Sequence, residues 1–280
     1  MGKQVTELDT LPSFTDTSLL PVHNGAGLKK GLLSQLANYL GTKFSNPNLL
    51  INPDFKINQR GATSYEKQGY SVDRWKIWNV TVTSNANGGI TVKNDKYTDT
   101  GTFLQYLENA TEGDSTLSCY VTSVSGTVTM MADDNSQVVL KQGLNVVHTS
   151  KSTKAFTIFL NRGTTITLKW VKLEQGKVAT PFVAPNPAEE LAKCYRFKYI
   201  GKAVLRGRCT ASQVFGFTKD LPTKLRTKPT TTFKSKNSYN VNTVDVTLAE
   251  ENNAVYLAGT AENTNQTVID VVLDLDAEIY

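Results

Sequence analysis

Along VIDVVLDLDAEIY, Val268 to Tyr280, apolar and acidic residues alternate almost without a break. Ile269, Val271, Leu273, Leu275, Ala277 and Ile279 share one face, and Asp270, Asp274, Asp276 and Glu278 share the other with Val272. A period of two is the period of a β-strand. Sliding such a strand by one residue would bury four carboxylates, so its register is fixed by burial. This run predicts a strand with a buried apolar face and an acid face turned outward.

The same logic recurs upstream. Residues 49–185 read as short strands: NVTVTS and GITVKN flank NANGG as a hairpin, and STLSCYVTSVSG, TVTMMADD, SQVVLKQG, LNVVHTS, AFTIFLNRG and TTITLKWVKLE follow with Gly, Asn or Asp between them. In the last of these, Ile166, Leu168 and Trp170 fall on one face. Abundant Thr, Asn, Val and Ser favours strands and turns over helices. Strands at this spacing predict a jelly-roll-like β-sandwich. The fold class is mainly β.

The stretch KLEQGKVATPFVAPNP ends that unit. Gly176 closes its last strand, and Pro181, Pro185 and Pro187 form a semi-rigid spacer. A short helix, AEELAKCYRFKY, restarts the chain, with Pro187 suited to the first helical turn. Residues 186–280 then form a C-terminal β-knob. Charge is polarised inside it: Lys193 to Lys236 holds twelve basic residues and one acidic, and Asp245 to Glu278 holds eight acidic and no basic residues. Pairing of the two halves, across strands or across subunits, is the expectation this pattern raises. A nucleic-acid surface would want aromatics interleaved with the basic run, and few are there.

Residues 1–48 form a leader. The apolar run Leu19, Leu20, Pro21, Val22 precedes a turn at HNGAG, and KKGLLSQLANYLG sets Leu32, Leu33, Leu36, Tyr39 and Leu40 at helical spacing with Gly41 as its stop. A helix of about three turns is marginal in water alone, so its stripe needs a partner. The start has no apolar signal-peptide core, which predicts that ordinary secretion is not the route of this chain. No run reaches the roughly 20 apolar residues of a membrane span, so no membrane insertion is expected.

Candidate chemistry is sparse. The net charge is +5 and the cysteines number three, Cys119, Cys194 and Cys209, without metal spacing. They read as free thilols of a cytosolically made protein, that is, as small hydrophobes. His23 and His148 have no second ligand near them in sequence, ADDN and NDKYTD read as turns, and no metal or cofactor is expected. The stretch YSVDRWKIW gathers Tyr70, Trp75 and Trp78, the flat apolar surfaces a sugar-binding face uses. Trp75 and Trp78 are an odd number apart and so point to opposite faces of a strand. One belongs to the core, and Trp78 is the preferred glycan contact.

Several of these stretches together resemble bacteriophage fibre and appendage proteins of the tail-fibre type. LPSFTDTSLLPVHNGAGLKKGLLSQLANYL is similar to their N-terminal element. LLINPDFKINQRG with YSVDRWKIW is similar to the opening of their carbohydrate-binding-module-like sandwich. ITLKWVKLEQGKVATPFVAPNPAEELAKCYRFKY is similar to its exit, and LPTKLRTKPTTTF with LDAEIY to their small C-terminal β-knob. The chain departs from the pattern at Tyr195, where such proteins often carry Gln. The resemblance implies a homotrimeric virion protein, a tail, collar or head fibre, assembled in the host cytoplasm. In it Leu19, Leu20 and Val22 would dock to a capsid, collar or tail protein, and Leu32, Leu33, Leu36, Leu40 and Leu273 would meet the other copies. The sandwich would contact host cell-surface polysaccharide, with no nucleic-acid partner. The alternative is a polysaccharide-degrading enzyme of a phage appendage, which would want clustered carboxylates in a groove.

Overall fold

The computed structural model describes residues 18–23, 28–41, 44–66, 68–86, 88–249 and 251–279. The chain divides into two compact units, residues 1–47 with 178–183, and residues 48–177 with 184–280. The expected turn at HNGAG, and the side chains of Leu20, Val22 and His23, lie outside what is described.

In the first unit, β1 (Leu19–His23) and β2 (Leu28–Leu32) pair antiparallel, with Leu19 opposite Leu32. Helix α1 (Leu33–Gly41) follows at once. The helix therefore starts later than its spacing predicts, and Leu32 belongs to the hairpin. The reason is local: residues 28–32 have strand partners, and the Leu32 N–H is taken by the Gln35 side chain at 2.9 Å, a cap on the first turn. Leu36, Tyr39 and Leu40 are exposed. Among the described residues, no helix is long and apolar enough to cross a membrane.

The second unit opens with a sandwich. Its strands are β3 (Ser64–Tyr65), β4 (Gly69–Tyr70), β5 (Lys76–Trp78), β6 (Thr81–Ser84), β7 (Ile90–Asn94), β8 (Gly101–Tyr106), β9 (Ser115–Ser125), β10 (Val128–Met131), β11 (Gln137–Val139), β12 (Gly143–Thr149), β13 (Ala155–Leu160) and β14 (Thr164–Gln175). They form two antiparallel sheets, β11-β10-β13-β8-β5-β4 and β12-β9-β14-β7-β6-β3. The expected hairpin over NANGG is β6–β7. Alternate residues of both sheets fill one core, with Trp75 stacked on Phe103 at 4.7 Å and edge-on to Phe156 at 6.0 Å.

Alternation fails in β14. Ile166 and Leu168 are buried as expected, but the register against β9 shifts on both sides of Leu168. This bulge turns Trp170 outward beside Tyr120 (6.1 Å) and brings Val171 and Leu173 into the core. Strand β14 ends before Gly176, which takes φ of 100°, a left-handed conformation that suits glycine.

Helix α2 (Pro187–Tyr195) begins at Pro187 as the sequence predicts, capped by the Asn186 side chain on the Ala188 and Glu189 N–H groups. A second, smaller sandwich follows: β15 (Lys198–Cys209), β16 (Val214–Asp220), β17 (Thr230–Tyr239), β18 (Val241–Leu248), β19 (Ala254–Ala261) and β20 (Asn265–Asp276), in sheets β15-β20-β17 and β16-β19-β18. Ile269, Val271, Leu273 and Leu275 are fully buried in its core with Val255 and Leu257. Leu273 thus meets its own chain and not a neighbouring copy, which corrects its assignment as a trimer contact. Ile279, past the end of β20, is only half buried.

Lys198 bridges Asp274 and Asp276, and Lys202 reaches Asp270 at 3.0 Å, so basic and acidic halves do meet across β15 and β20. Glu278 departs from the pattern. β20 stops at Asp276, Ala277 gives its N–H to Phe197, and Glu278 turns inward to Arg74 of the first sandwich. The two sandwiches are therefore packed together through buried groups, where the prolines suggest a semi-rigid spacer as what sets their distance and angle.

Candidate functional site

In the sheet led by β11, the inward side chains are core and the outward ones form rows. Strand register places Trp78, Thr102, Phe159, Thr129 and Val139 in one line across β5, β8, β13, β10 and β11. The next outward row holds Lys76, Leu104, Thr157, Met131 and Gln137. Neighbouring strands lie about 4.8 Å apart, so Trp78 and Phe159 stand about 10 Å apart on one flat surface. Trp78 is 46% exposed and Val139 50%, and the residues between them are half-buried. The face alternates apolar rings and methyl groups with threonine hydroxyls. That mixture can take the C–H side of a sugar ring on the indole and its hydroxyls on the threonines.

Of the predicted glycan contacts, only Trp78 lies on this face and open to solvent. Trp75 is fully buried, and its indole N–H donates to the Asn52 carbonyl at 2.9 Å. It is a core residue and cannot touch a ligand. Tyr70 is half-buried, gives its hydroxyl to the Ile279 carbonyl and carries the Arg60 guanidinium over its ring at 5.5 Å. It serves the junction with the second sandwich. Phe159 escaped the sequence reading, although the odd spacing from Phe156 carries the same signal that separates Trp75 from Trp78.

The junction gathers the densest charge among the described residues. Arg74, at φ of 73°, donates both its backbone N–H (3.2 Å) and its guanidinium to Glu278, and lies over the Phe197 ring at 3.5 Å. Arg60 sits 3.5–3.6 Å from Asp73, Asp276 and Glu278. Glu190 of α2 accepts the Asn52 N–H at 2.6 Å. Gln59 links its backbone to Asp73 (2.7 Å) and its side chain to both the carbonyl of Lys198 (2.7 Å) and the N–H of Ile200 (3.2 Å). Burial, opposed in part by the Gln59 hydrogen bond and Arg60, pushes Asp73 up to about 6. With 1% of its surface exposed, Asp73 reaches no substrate. A pocket of about 640 Å³ opens beside this cluster, lined by Leu49, Arg74, Tyr106, Glu108, Glu112 and Phe197 among others. On its rim Glu108 is held by Arg196 at 2.7 Å.

The remaining candidates are spent locally. Asp134 accepts from Ser136 and Thr149, Asp133 accepts from Lys154, and Asn94 donates to the Asp99 and Leu160 carbonyls. His148 lies 2.8 Å from the Thr116 hydroxyl. Among the described residues, no three His, Cys, Asp or Glu side chains are placed to hold a metal ion.

No protein-family model matches the chain, and no curated protein matches it in sequence. Among solved structures it is similar to a variant of a family 29 carbohydrate-binding module, at 9% identity and a TM-score of 0.28, over 45% of this chain and 100% of that one. It is also similar to recombinant discoidin II of Dictyostelium discoideum, at 8% identity and a TM-score of 0.22, over 70% of this chain and 85% of that one. These scores are low, and nothing about ligand or residue passes from them to this chain.

Proposed function

We propose that the chain is a structural fibre protein of a bacteriophage virion, a tail, collar or head fibre, whose first sandwich contacts host-surface polysaccharide. The observation that carries the glycan contact is the exposed row of Trp78, Thr102, Phe159, Thr129 and Val139. A single shallow face of this kind gives weak binding. Three copies on one fibre, and several fibres on one particle, raise the effective concentration and turn weak contacts into firm adhesion.

The homotrimer rests on the resemblance of the leader and on its apolar surface. Leu32, Leu36 and Leu40 are each more than a third exposed, and Leu33 is half-buried. Such a surface is suited to a partner, here two further copies. The docking role of Leu19, Leu20 and Val22 toward a capsid, collar or tail protein rests on the resemblance alone. The three thiols, all buried and unpaired, suit assembly in the reducing cytoplasm of a bacterial host.

The reading is tested in two arms. Light scattering on the full chain should give a trimer, and a labelled chain should be found on purified virions by electron microscopy. On a glycan array, Trp78→Ala should lose about 2 kcal/mol, or about thirty-fold, in affinity for whichever glycan the wild type binds, with the melting temperature unchanged. A stable monomer at micromolar concentration overturns the fibre, and an unchanged array pattern in Trp78→Ala overturns the binding face.

A further inference from the structure

The second sandwich carries a feature that neither its core nor its junction uses. On β15, Arg206 and Arg208 point outward on the same face, two residues apart, which spaces their Cα atoms by about 7 Å. Both are exposed, and among the described residues neither is in an ion pair, although Lys198 and Lys202 on the same strand have acidic partners. Register and competition explain the difference: Asp270, opposite Val204, is diagonal to both Lys202 and Arg206 and is taken by Lys202 at 3.0 Å, whereas Arg208 faces Gln266, with no carboxylate beside it on β20. With Gly207, Asn265 and Gln266 they line a cleft of about 470 Å³. Tyr239, 59% exposed, lies on the same outer face, two strands from Arg206 through Val268. The site is six to eight residues, or about 20–26 Å, along β15 from Ile200, where the junction with the first sandwich ends.

We infer that this cleft binds a linear acidic polysaccharide, with successive carboxylate or phosphate groups on Arg206 and Arg208. Two unpaired guanidinium forks on one face suit oxyanions that repeat along a chain, and each can be held in bidentate fashion. Gln266 offers a side-chain donor and acceptor and Asn265 an amide donor, its Oδ1 already accepting the Gln266 N–H at 2.8 Å, and sugar hydroxyls between the charges need such groups. The Tyr239 ring adds an apolar surface for one sugar ring. Single-stranded nucleic acid fits less well, because its successive bases want a series of aromatic platforms and this face offers one. The inference stands apart from the Trp78 face, on the other sandwich, and survives if that face binds nothing.

The test compares the full chain with Arg206→Gln/Arg208→Gln on four probes: polygalacturonate, a phosphomannan, neutral dextran and a single-stranded oligodeoxynucleotide. A control, Lys224→Gln/Lys228→Gln, removes the same charge from exposed positions outside the cleft. The wild type and the control should bind polygalacturonate, phosphomannan or both, less tightly as salt rises, and should not bind dextran through this site. The arginine double variant should lose about ten-fold or more in affinity while melting like the wild type. Which of the two acidic polymers binds tells carboxylate from phosphate. The inference is overturned if neither polymer binds, if the control loses as much as the arginine variant, or if the oligodeoxynucleotide binds more tightly than both.

Discussion

Arg74 and Glu278 are 204 residues apart in the chain and meet as a fully buried ion pair, the guanidinium of the first sandwich on the carboxylate that ends the second. Removing one partner of such a pair strands a charge away from water, at a cost of about 3–5 kcal/mol, whereas replacing both with apolar groups is often neutral. Arg74→Met should therefore lower the urea midpoint sharply, and Arg74→Met/Glu278→Leu should recover most of the loss. Arg60 keeps Asp73 and Asp276 as partners in the double variant. Equal losses in the single and double variants would show that the pair does not hold the junction.

The central strand of the second sandwich separates burial from charge. Leu273 is fully buried, and its neighbour Asp274 is paired with Lys198, which also holds Asp276 at 3.0 Å. Leu273→Asp should cost about 4 kcal/mol or more, since it places an unpaired carboxylate in an apolar core. Asp274→Asn should cost about 0–1 kcal/mol, because the pair is partly solvated and Lys198 keeps a second partner. Thermal melts of the two variants decide it; similar shifts in melting temperature would contradict the assignment of faces.

These two cases also mark what was legible in the sequence. Ile269 to Leu275 read correctly because every partner of that face lies within one small sandwich, where period two is sufficient. Glu278 did not, because the strand ends two residues earlier and its partner is distant in sequence. Trp75 and Trp78 separated by parity, but Trp170 was misplaced because a bulge adds one residue and reverses the alternation beyond Leu168. Tyr70 sits beside Trp75 and Trp78 in sequence, yet its hydroxyl serves Ile279. The outer row at Trp78 needed strand order, which no local pattern carries. That Arg206 and Arg208 have no ion pair among the described residues likewise needed the pairing of β15 with β20 and the hold of Lys202 on Asp270.

Thiol chemistry should report the junction opening. Burial pushes the Cys119 thiol up to about 12, and burial with nearby carboxylates pushes Cys194 upward as well. Neither should react with iodoacetamide in the native chain at neutral pH, since the thiolate is the nucleophile. Cys119 lies in the core of the first sandwich and Cys194 on α2 at the junction. In Arg74→Met, Cys194 should become alkylated before Cys119, as read by mass spectrometry of peptides. Simultaneous labelling of both would mean that the junction opens only when the first sandwich unfolds.

Asp73 gives the junction a signature in pH. Burial raises its carboxyl from 3.8 to about 6 in the folded chain, so between those values the native state holds a proton that the unfolded state has lost. Stability falls with rising pH wherever the native state binds more protons. The contribution of Asp73 is thus most favourable below about pH 4, declines through the interval up to pH 6, and is flat above it. A displacement of about two pKa units corresponds to about 3 kcal/mol across that window. Glu278 and Arg60 face the same carboxyl and act in opposite senses, the first raising and the second lowering its pKa. Asp73→Asn keeps the shape and removes the titration. The difference in unfolding free energy between wild type and Asp73→Asn, measured by urea titration at half-unit steps from pH 4 to 7.5, should therefore move against the wild type as pH rises to about 6 and then stay level. A difference that is constant across the whole range would show that Asp73 is ionised at every pH tested and that burial does not govern it.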